Sequence, residues 1–314
     1  MNRQTQRQTI NMLVFLGPAS VFLLVLLVAP IIVDLVVAFT DMAQTVKVGE
    51  YTTKQFGKLV KASDDAWFGF ELRGSFYRAL SLTALYVFLT LAIFNVTFAL
   101  ILALTTTALP DWLGATFRAL WLLPRMSPSV VYALLWLWVI DPTERGLLNQ
   151  IVLNVFGTET INMKLNHPIM VIVLANGFIG ASIGMLILTS AIRSIPEHLF
   201  FAARADGAGP MSVARHVIMP ALRWPLSYIT VFQTLALLVS FEYIFLIMGP
   251  TRSTMTMAML AYTKTLAPDI GSGQYAYGAA ITLILIVVGM AVALTLWRLT
   301  NMKSLLAPPR IEVQ

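Results

Sequence analysis

Long apolar runs alternate with short polar ones along the whole chain. Six runs, at about 12–40, 78–106, 117–140, 168–192, 221–248 and 278–299, reach the roughly 20 residues that a helix needs to cross a hydrocarbon layer about 30 Å thick. The pattern predicts an all-α integral membrane protein with six transmembrane helices. Strands of a membrane barrel would instead alternate over about ten residues, a pattern this sequence lacks. Polar segments at 41–77, 141–167 and 249–277 are expected as loops on one side, the last of them rich in Gly, Ser and Thr, with Gly271-Ser272-Gly273 read as a flexible loop. Six spans put both termini on the other side, with the turn at 107–116 and a polar island, Pro196–Pro220. The expected organisation is an N-terminal segment, 1–11, a six-span body, 12–300, with the island inside a loop at 193–222, and a tail, 301–314.

Composition supports the membrane reading: 58% of residues are hydrophobic and 11% are charged, against about 25% charged in soluble domains. The formal charge of +6 is spread over many short loops, which fits anionic lipid headgroups rather than nucleic acid. With no cysteine there is no disulfide framework, thiolate metal site or thiol nucleophile. The histidines, His167, His198 and His216, lack metal-ligand spacing, so no metal site is expected. The first apolar run is too long for a signal-peptide core and has no small-residue cleavage site after it, so it is read as an uncleaved span. Basic residues divide evenly between the two sides, but the island side is shorter and denser in charge. This favours an island and termini that are cytoplasmic.

The island itself reads as a short helix. Pro196 suits a first turn, Glu197 sits at the positive end of the helix dipole, and Gly207 offers a stop. Ala202, Ala203 and Ala205 permit close approach of a partner, and Asp206 is placed to cap the next turn.

Phe201-Ala202-Ala203-Arg204-Ala205-Asp206-Gly207-Ala208, followed by Val217-Ile218-Met219-Pro220, resembles the E-A-A-x-x-D-G-A … I-x-L-P loop of binding-protein-dependent ABC importer permeases. Phe201 stands where that pattern has glutamate, and Val217 and Met219 are conservative exchanges. Gly17-Pro18, Pro30-Ile31, Phe39-Thr40-Asp41, Leu123-Pro124, Trp136, Gly146-Leu147-Leu148-Asn149 and Gly249-Pro250 with Thr254 extend the resemblance, to the carbohydrate type that includes maltose and glycerol-phosphate importers. The resemblance implies a permease subunit in a bacterial inner membrane, paired with a second homologous permease. It also implies a cytoplasmic ATPase dimer that binds ATP and Mg, a periplasmic substrate-binding protein, and a sugar-like solute. The chain itself is expected to be no enzyme and to bind no cofactor, since it has no G-x-x-x-x-G-K-[ST] phosphate loop. ATPase coupling is then expected at Glu197, Phe201, Ala202, Ala203, Asp206, Gly207, Ala208, Met219 and Pro220. The Phe201 exchange predicts a partner groove more apolar than usual.

Polar positions on one helical face mark a path through the bundle, because they are costly toward lipid. Asn176 and Gly180 in the fourth span, and Gln233, Leu237 and Ser240 in the fifth, share such faces. In maltose-type permeases the helices flanking this loop touch the sugar, which makes these residues, with Glu242 at the outer mouth, the expected substrate path. The competing reading is that Gly180 and Gly184 pack helices closely while Asn176 and Gln233 bond between helices. Arg125 either snorkels to the interface or lines the path. Trp136, Trp138 and Trp297 fit interfacial belts. No cluster of Lys and Arg inside the spans calls for a phosphorylated solute. The rival functions are a self-sufficient secondary transporter, which needs a relay of intramembrane carboxylates where only Asp34 and Glu242 qualify, and a membrane scaffold.

Overall fold

The computed structural model describes residues 14–42, 50–60, 66–67, 70–71, 75–157, 159–266 and 274–299. Segments 1–11 and 301–314, part of the 41–77 loop, and Gly271-Ser272-Gly273 lie outside the described residues. In chain order the helices are α1 (Val14–Ala38), α2 (Lys54–Val60), α3 (Phe76–Ala108), α4 (Asp111–Met126), α5 (Ser129–Val139), α6 (Leu147–Phe156), α7 (Met163–Asn166), α8 (Pro168–Arg193), α9 (Glu197–Ala205), α10 (Pro210–Val239), α11 (Glu242–Met248), α12 (Met257–Leu266) and α13 (Tyr275–Leu299). A two-residue antiparallel pair, Ala66–Trp67 with Phe70–Glu71, is too small to alter the all-α class. Five helices, α1, α3, α8, α10 and α13, are long and apolar enough to cross a membrane, and α4 with α5 makes a sixth if that bent pair counts as one span.

Three predicted segments differ in the structure. The expected third span, 117–140, is two helices bent by 101°. Pro128 holds Ser127 extended, at φ −73° and ψ 144°, because a residue before proline is driven out of the helical region. The expected fifth span, 221–248, begins earlier, at Pro210, and breaks at Ser240, which is extended at ψ 118°. The expected loop at 249–277 contains α12, whose Met257 and Met259 are fully buried.

The described residues form two compact units: those up to Phe76 with Leu260–Ile286, and Tyr77–Met259 with those from Val287 onward. In the first, α1 widens to a π-turn at Leu24–Val28, just ahead of Pro30, whose ring lacks an N–H and crowds the carbonyl four residues back. Most of α1 exposes Leu, Val and Phe side chains in the single chain, as a helix facing lipid or a partner does. Below it, the Thr52 amide donates to the Phe39 carbonyl at 2.7 Å, and the Phe39 and Phe56 rings pack at 5.0 Å.

In the second unit α8 is the central element, packed by α3, α4, α10 and α11. Ala99, Ala103, Ala181, Leu188, Leu222 and Ile229 form its core. Small residues allow the close approach: a Cβ on Gly184 would stand 2.7 Å from both Ala99 Cβ and the Asn95 carbonyl oxygen. In lipid such packing replaces the hydrophobic drive available to soluble bundles. Arg118, buried, donates to the Thr106 carbonyl at 3.0 Å and so caps the C-terminal turn of α3. Asp111 pairs with Arg193 at 2.9 Å, which brings the start of α4 to the end of α8. This agrees with the expectation that the 107–116 turn and the island share a side.

Asn149 organises the 141–167 segment. Its amide donates to the carbonyls of Asp141 (2.9 Å) and Ile161 (3.2 Å), and its oxygen accepts from the Ile161 amide at 2.8 Å. In the same segment the Thr143 hydroxyl, and then its amide, hold the Asp141 carboxyl below its usual range.

Candidate functional site

Inside the second unit a cavity of about 280 Å³ opens between α3, α8 and α10, and its lining includes Asn95, Arg125, Asn176, Gln233, Ser240 and Tyr243. Gly180 and Leu237 line it as well, so five of the six expected path residues come together. Ser240 Oγ donates to Asn176 Oδ1 at 3.1 Å, and Asn176 Nδ2 donates to the Ile172 carbonyl at 3.2 Å. Gln233 Nε2 donates across the interface to the Gly180 carbonyl at 2.9 Å. The side chains that tie α8 to α10 thus also border the cavity.

Glu242 is the exception. It does not line the cavity; it is exposed at the first turn of α11, and its carboxylate accepts a hydrogen bond from the Ser129 hydroxyl. The chain break at Ser240–Phe241 turns Tyr243 toward the cavity in its place. That break had no signal in the apolar run that spans it.

Asn95 is the residue that sequence reasoning missed. It lies in a nine-residue π-helical stretch, Thr90–Phe98, a rare geometry that often marks functional positions. Its side chain is fully buried, and neither amide atom has a hydrogen-bond partner among the described residues. A Cβ on Gly180 would stand 2.1 Å from Asn95 Oδ1, so the absent side chain at 180 makes the room that this amide occupies. A lone Asn in an apolar run was the only available signal.

Arg125, exposed near the end of α4, also borders the cavity. Pro124 lies inside α4, and Pro128 ends the helix just beyond Arg125 by holding Ser127 extended. Trp136 also differs from the belt expectation, since it is half-buried and its ring packs edge-on against Phe178 at 6.0 Å. Trp138 is exposed.

The island forms α9, as its composition indicates. Pro196 is the residue before the first turn, and Glu197 is exposed within it. Gly207 adopts φ +71°, and the Ala208 amide closes back on the Ala203 carbonyl at 2.9 Å, a Schellman stop that disfavours any side chain at 207. Asp206 does not cap the following helix. Gly209 holds that place, with Pro210 in the first turn and no side-chain cap. Phe201 is 60% exposed and Ala202 is exposed, while Ala203 and Ala208 are half-buried. A surface groove of about 590 Å³ runs along Ala203, Asp206, Gly207, Ala208 and His216. Met219 is half-buried and Pro220 exposed on the long helix that follows.

The cavity thus lies between helices long and apolar enough to cross a membrane, and a short exposed helix joins two of them. The chain belongs to the family of binding-protein-dependent transport system inner membrane components, which matches residues 95–298. It is 31% identical over 186 residues to a probable ABC transporter permease protein of Pyrococcus horikoshii, covering 57% of this chain and 61% of that one. It is 24% identical over 304 residues to the galactooligosaccharides transport system permease protein GanP of Bacillus subtilis, covering 92% and 69%. With the xylose/arabinose import permease protein XacH of Haloferax volcanii the identity is 29% over 178 residues, covering 56% and 55%. The chain thus spans between about half and two thirds of the length of these relatives. Among solved structures, a bacterial ABC transporter that imports the acidic polysaccharide alginate superposes with a TM-score of 0.80 at 20% identity, over 96% of this chain and 100% of that one. That likeness concerns the fold.

Proposed function

We propose that this chain is one of two permease halves of an ATP-driven importer for a sugar or sugar-like solute in a bacterial inner membrane. A periplasmic binding protein delivers the solute, a second related permease completes the path, and a pair of cytoplasmic ATPases docks at α9. ATP and Mg belong to those ATPases, both termini of this chain lie in the cytoplasm, and lipid surrounds the six-span body. Names of relatives support the solute class, since GanP and XacH are permeases for sugars.

The observation that carries the reading is the connection between cavity and island. Asn176 and Gly180 sit on α8, Gln233 and Ser240 on α10, and α9 is the exposed link between these two helices. A push on α9 is passed to both cavity walls along α8 and α10, the arrangement a rocking movement requires. Glu197, Phe201, Ala202, Ala203, Asp206, Gly207, Ala208, Met219 and Pro220 are the positions assigned to docking. Asn176, Gly180, Gln233, Leu237 and Ser240 are assigned to the solute, joined by Asn95 and Tyr243. Glu242 acts behind them by fixing the start of α11 against Ser129.

The test is purification of the tagged chain from its source membrane. Co-purification with an ATPase and a sister permease, and ATP hydrolysis stimulated by a loaded binding protein, are expected. A lone chain that transports solute without them would overturn the proposal in favour of a secondary transporter.

A further inference from the structure

We infer that Trp224, Tyr228 and Phe232 form a stacking track along α10, over which the pyranose rings of the solute pass from the cavity toward the island. The inference rests on the importer reading above and adds a second contact site for the same solute.

The three side chains recur every fourth residue, so they share one face of α10. The Trp224 and Tyr228 rings have centroids 5.9 Å apart and planes 15° apart, and those of Tyr228 and Phe232 are 6.0 Å and 7° apart. The rings thus run nearly parallel over two helical turns, and each side chain is between 40% and 44% exposed. Phe232 also lines the cavity, beside Gln233 and Ala236. The row therefore starts at the cavity and ends one turn from Pro220, at the island.

Lipid, another helix or the path could cover such a face, and Tyr228 argues against lipid. Gln233 bonds to Gly180, which lies about 20 Å along α8 from the charged end at Arg193. Tyr228 lies about 8 Å from Gln233 toward that end, inside the apolar layer rather than in the interfacial belt where Tyr and Trp anchor spans. Its hydroxyl has no hydrogen-bond partner among the described residues, and a hydroxyl turned to hydrocarbon is costly. Ring size argues against a second helix. Close contacts between membrane helices are made by small residues, as between Gly184 and Ala99, whereas three projecting rings hold another backbone away. The path remains, and the row is continuous with the cavity. A pyranose presents C–H groups on its flat face, and these meet the electron-rich face of an aromatic ring through weak, poorly directed contacts. Such contacts let a sugar move from ring to ring, where directed hydrogen bonds would hold it in one place.

The experiment uses the complete importer, with its sister permease, ATPases and binding protein. The chain has no cysteine, so Trp224→Cys, Tyr228→Cys and Phe232→Cys each give it a single thiol. The assemblies, in lipid nanodiscs open on both faces, are treated with a charged, membrane-impermeant thiosulfonate that attacks thiolate in water, and labelling of this chain is read by mass. All three are expected to label, and Ile229→Cys, at a fully buried neighbour, is not. Uptake into proteoliposomes is then followed with radiolabelled galactobiose, xylobiose, maltose and digalacturonate. Tyr228→Leu should slow the sugar that is carried roughly threefold to tenfold, the scale of one aromatic contact, with the unfolding midpoint unchanged. Tyr228→Phe, which keeps the ring face, should recover most of that loss. Absence of label at 228 and 232 overturns the inference, because the row then faces lipid or a helix; should one cysteine variant fail to assemble, its neighbours in the row carry the same test. Uptake by Tyr228→Leu at the wild-type rate overturns it too, as does equal slowing by Leu and Phe, which would assign the role to the hydroxyl. Failure of the importer reading is separately visible, as absence of the ATPases and sister permease from the wild-type assembly or as uptake of none of the sugars by it.

Discussion

Gly180 and Gly184 lie one helical turn apart on α8, and replacing each by alanine separates packing from path. At Gly184 the new methyl would meet Ala99 Cβ and the Asn95 carbonyl oxygen, each at 2.7 Å. Carbon atoms at rest sit about 3.5–4.0 Å apart, and neither neighbour can turn aside, so α8 and α3 must part by about 1 Å. Overpacking of this kind costs about 1–3 kcal/mol, partly offset by the roughly 1 kcal/mol gained when alanine replaces glycine in a helix. At Gly180 the methyl would meet the Asn95 amide, with Oδ1 at 2.1 Å and Nδ2 at 2.8 Å. That amide is the end of a side chain, so it can swing, and the space it swings into is the cavity. Gly184→Ala should therefore lower the thermal unfolding midpoint of the purified assembly. Gly180→Ala should leave stability within about 1 kcal/mol while reducing uptake in proteoliposomes. Equal destabilisation by the two would show that Gly180 serves only to pack helices. A stable, fully active Gly184→Ala would refute the contact geometry itself.

Gly207→Val places a branched side chain at φ +71°, at a cost of about 1–2 kcal/mol or more; coupling of ATP hydrolysis to uptake should fall or assembly should weaken, and unchanged transport would count against docking at α9. Phe201 is exposed, so Phe201→Glu should leave the fold intact and be tolerated or weaken coupling if the partner groove is apolar; stronger assembly in co-purification would refute that groove. Asn149→Ala removes the four hydrogen bonds of a buried amide that ties together the largely exposed 141–167 segment and strands at least one backbone group. A loss of about 2–4 kcal/mol should appear as a lower unfolding midpoint, and an unchanged midpoint would show that the segment is held elsewhere.

Hydrophobic periodicity determined most of the architecture, because lipid forbids unpaired backbone and leaves helices as the solution for long apolar runs. The starts and ends of α3, α8 and α13 lie within a few residues of the expected spans, and α9 was legible from Pro196, Glu197 and Gly207. Five of the six residues expected on the path, Asn176, Gly180, Gln233, Leu237 and Ser240, repeat at helical spacing and line one cavity. Apolar runs do not report where a helix bends. Pro128 marks the break at Ser127–Pro128 locally, but the break at Ser240–Phe241 and the burial of α12 depend on neighbours, and the break at Ser240–Phe241 is what brings Tyr243 to the cavity and leaves Glu242 outside. Asn95 shows the same division. The sequence places a lone amide in an apolar run, but only the π-helical stretch of α3 and the missing side chain of Gly180 decide that this amide is buried, unpartnered and beside the cavity.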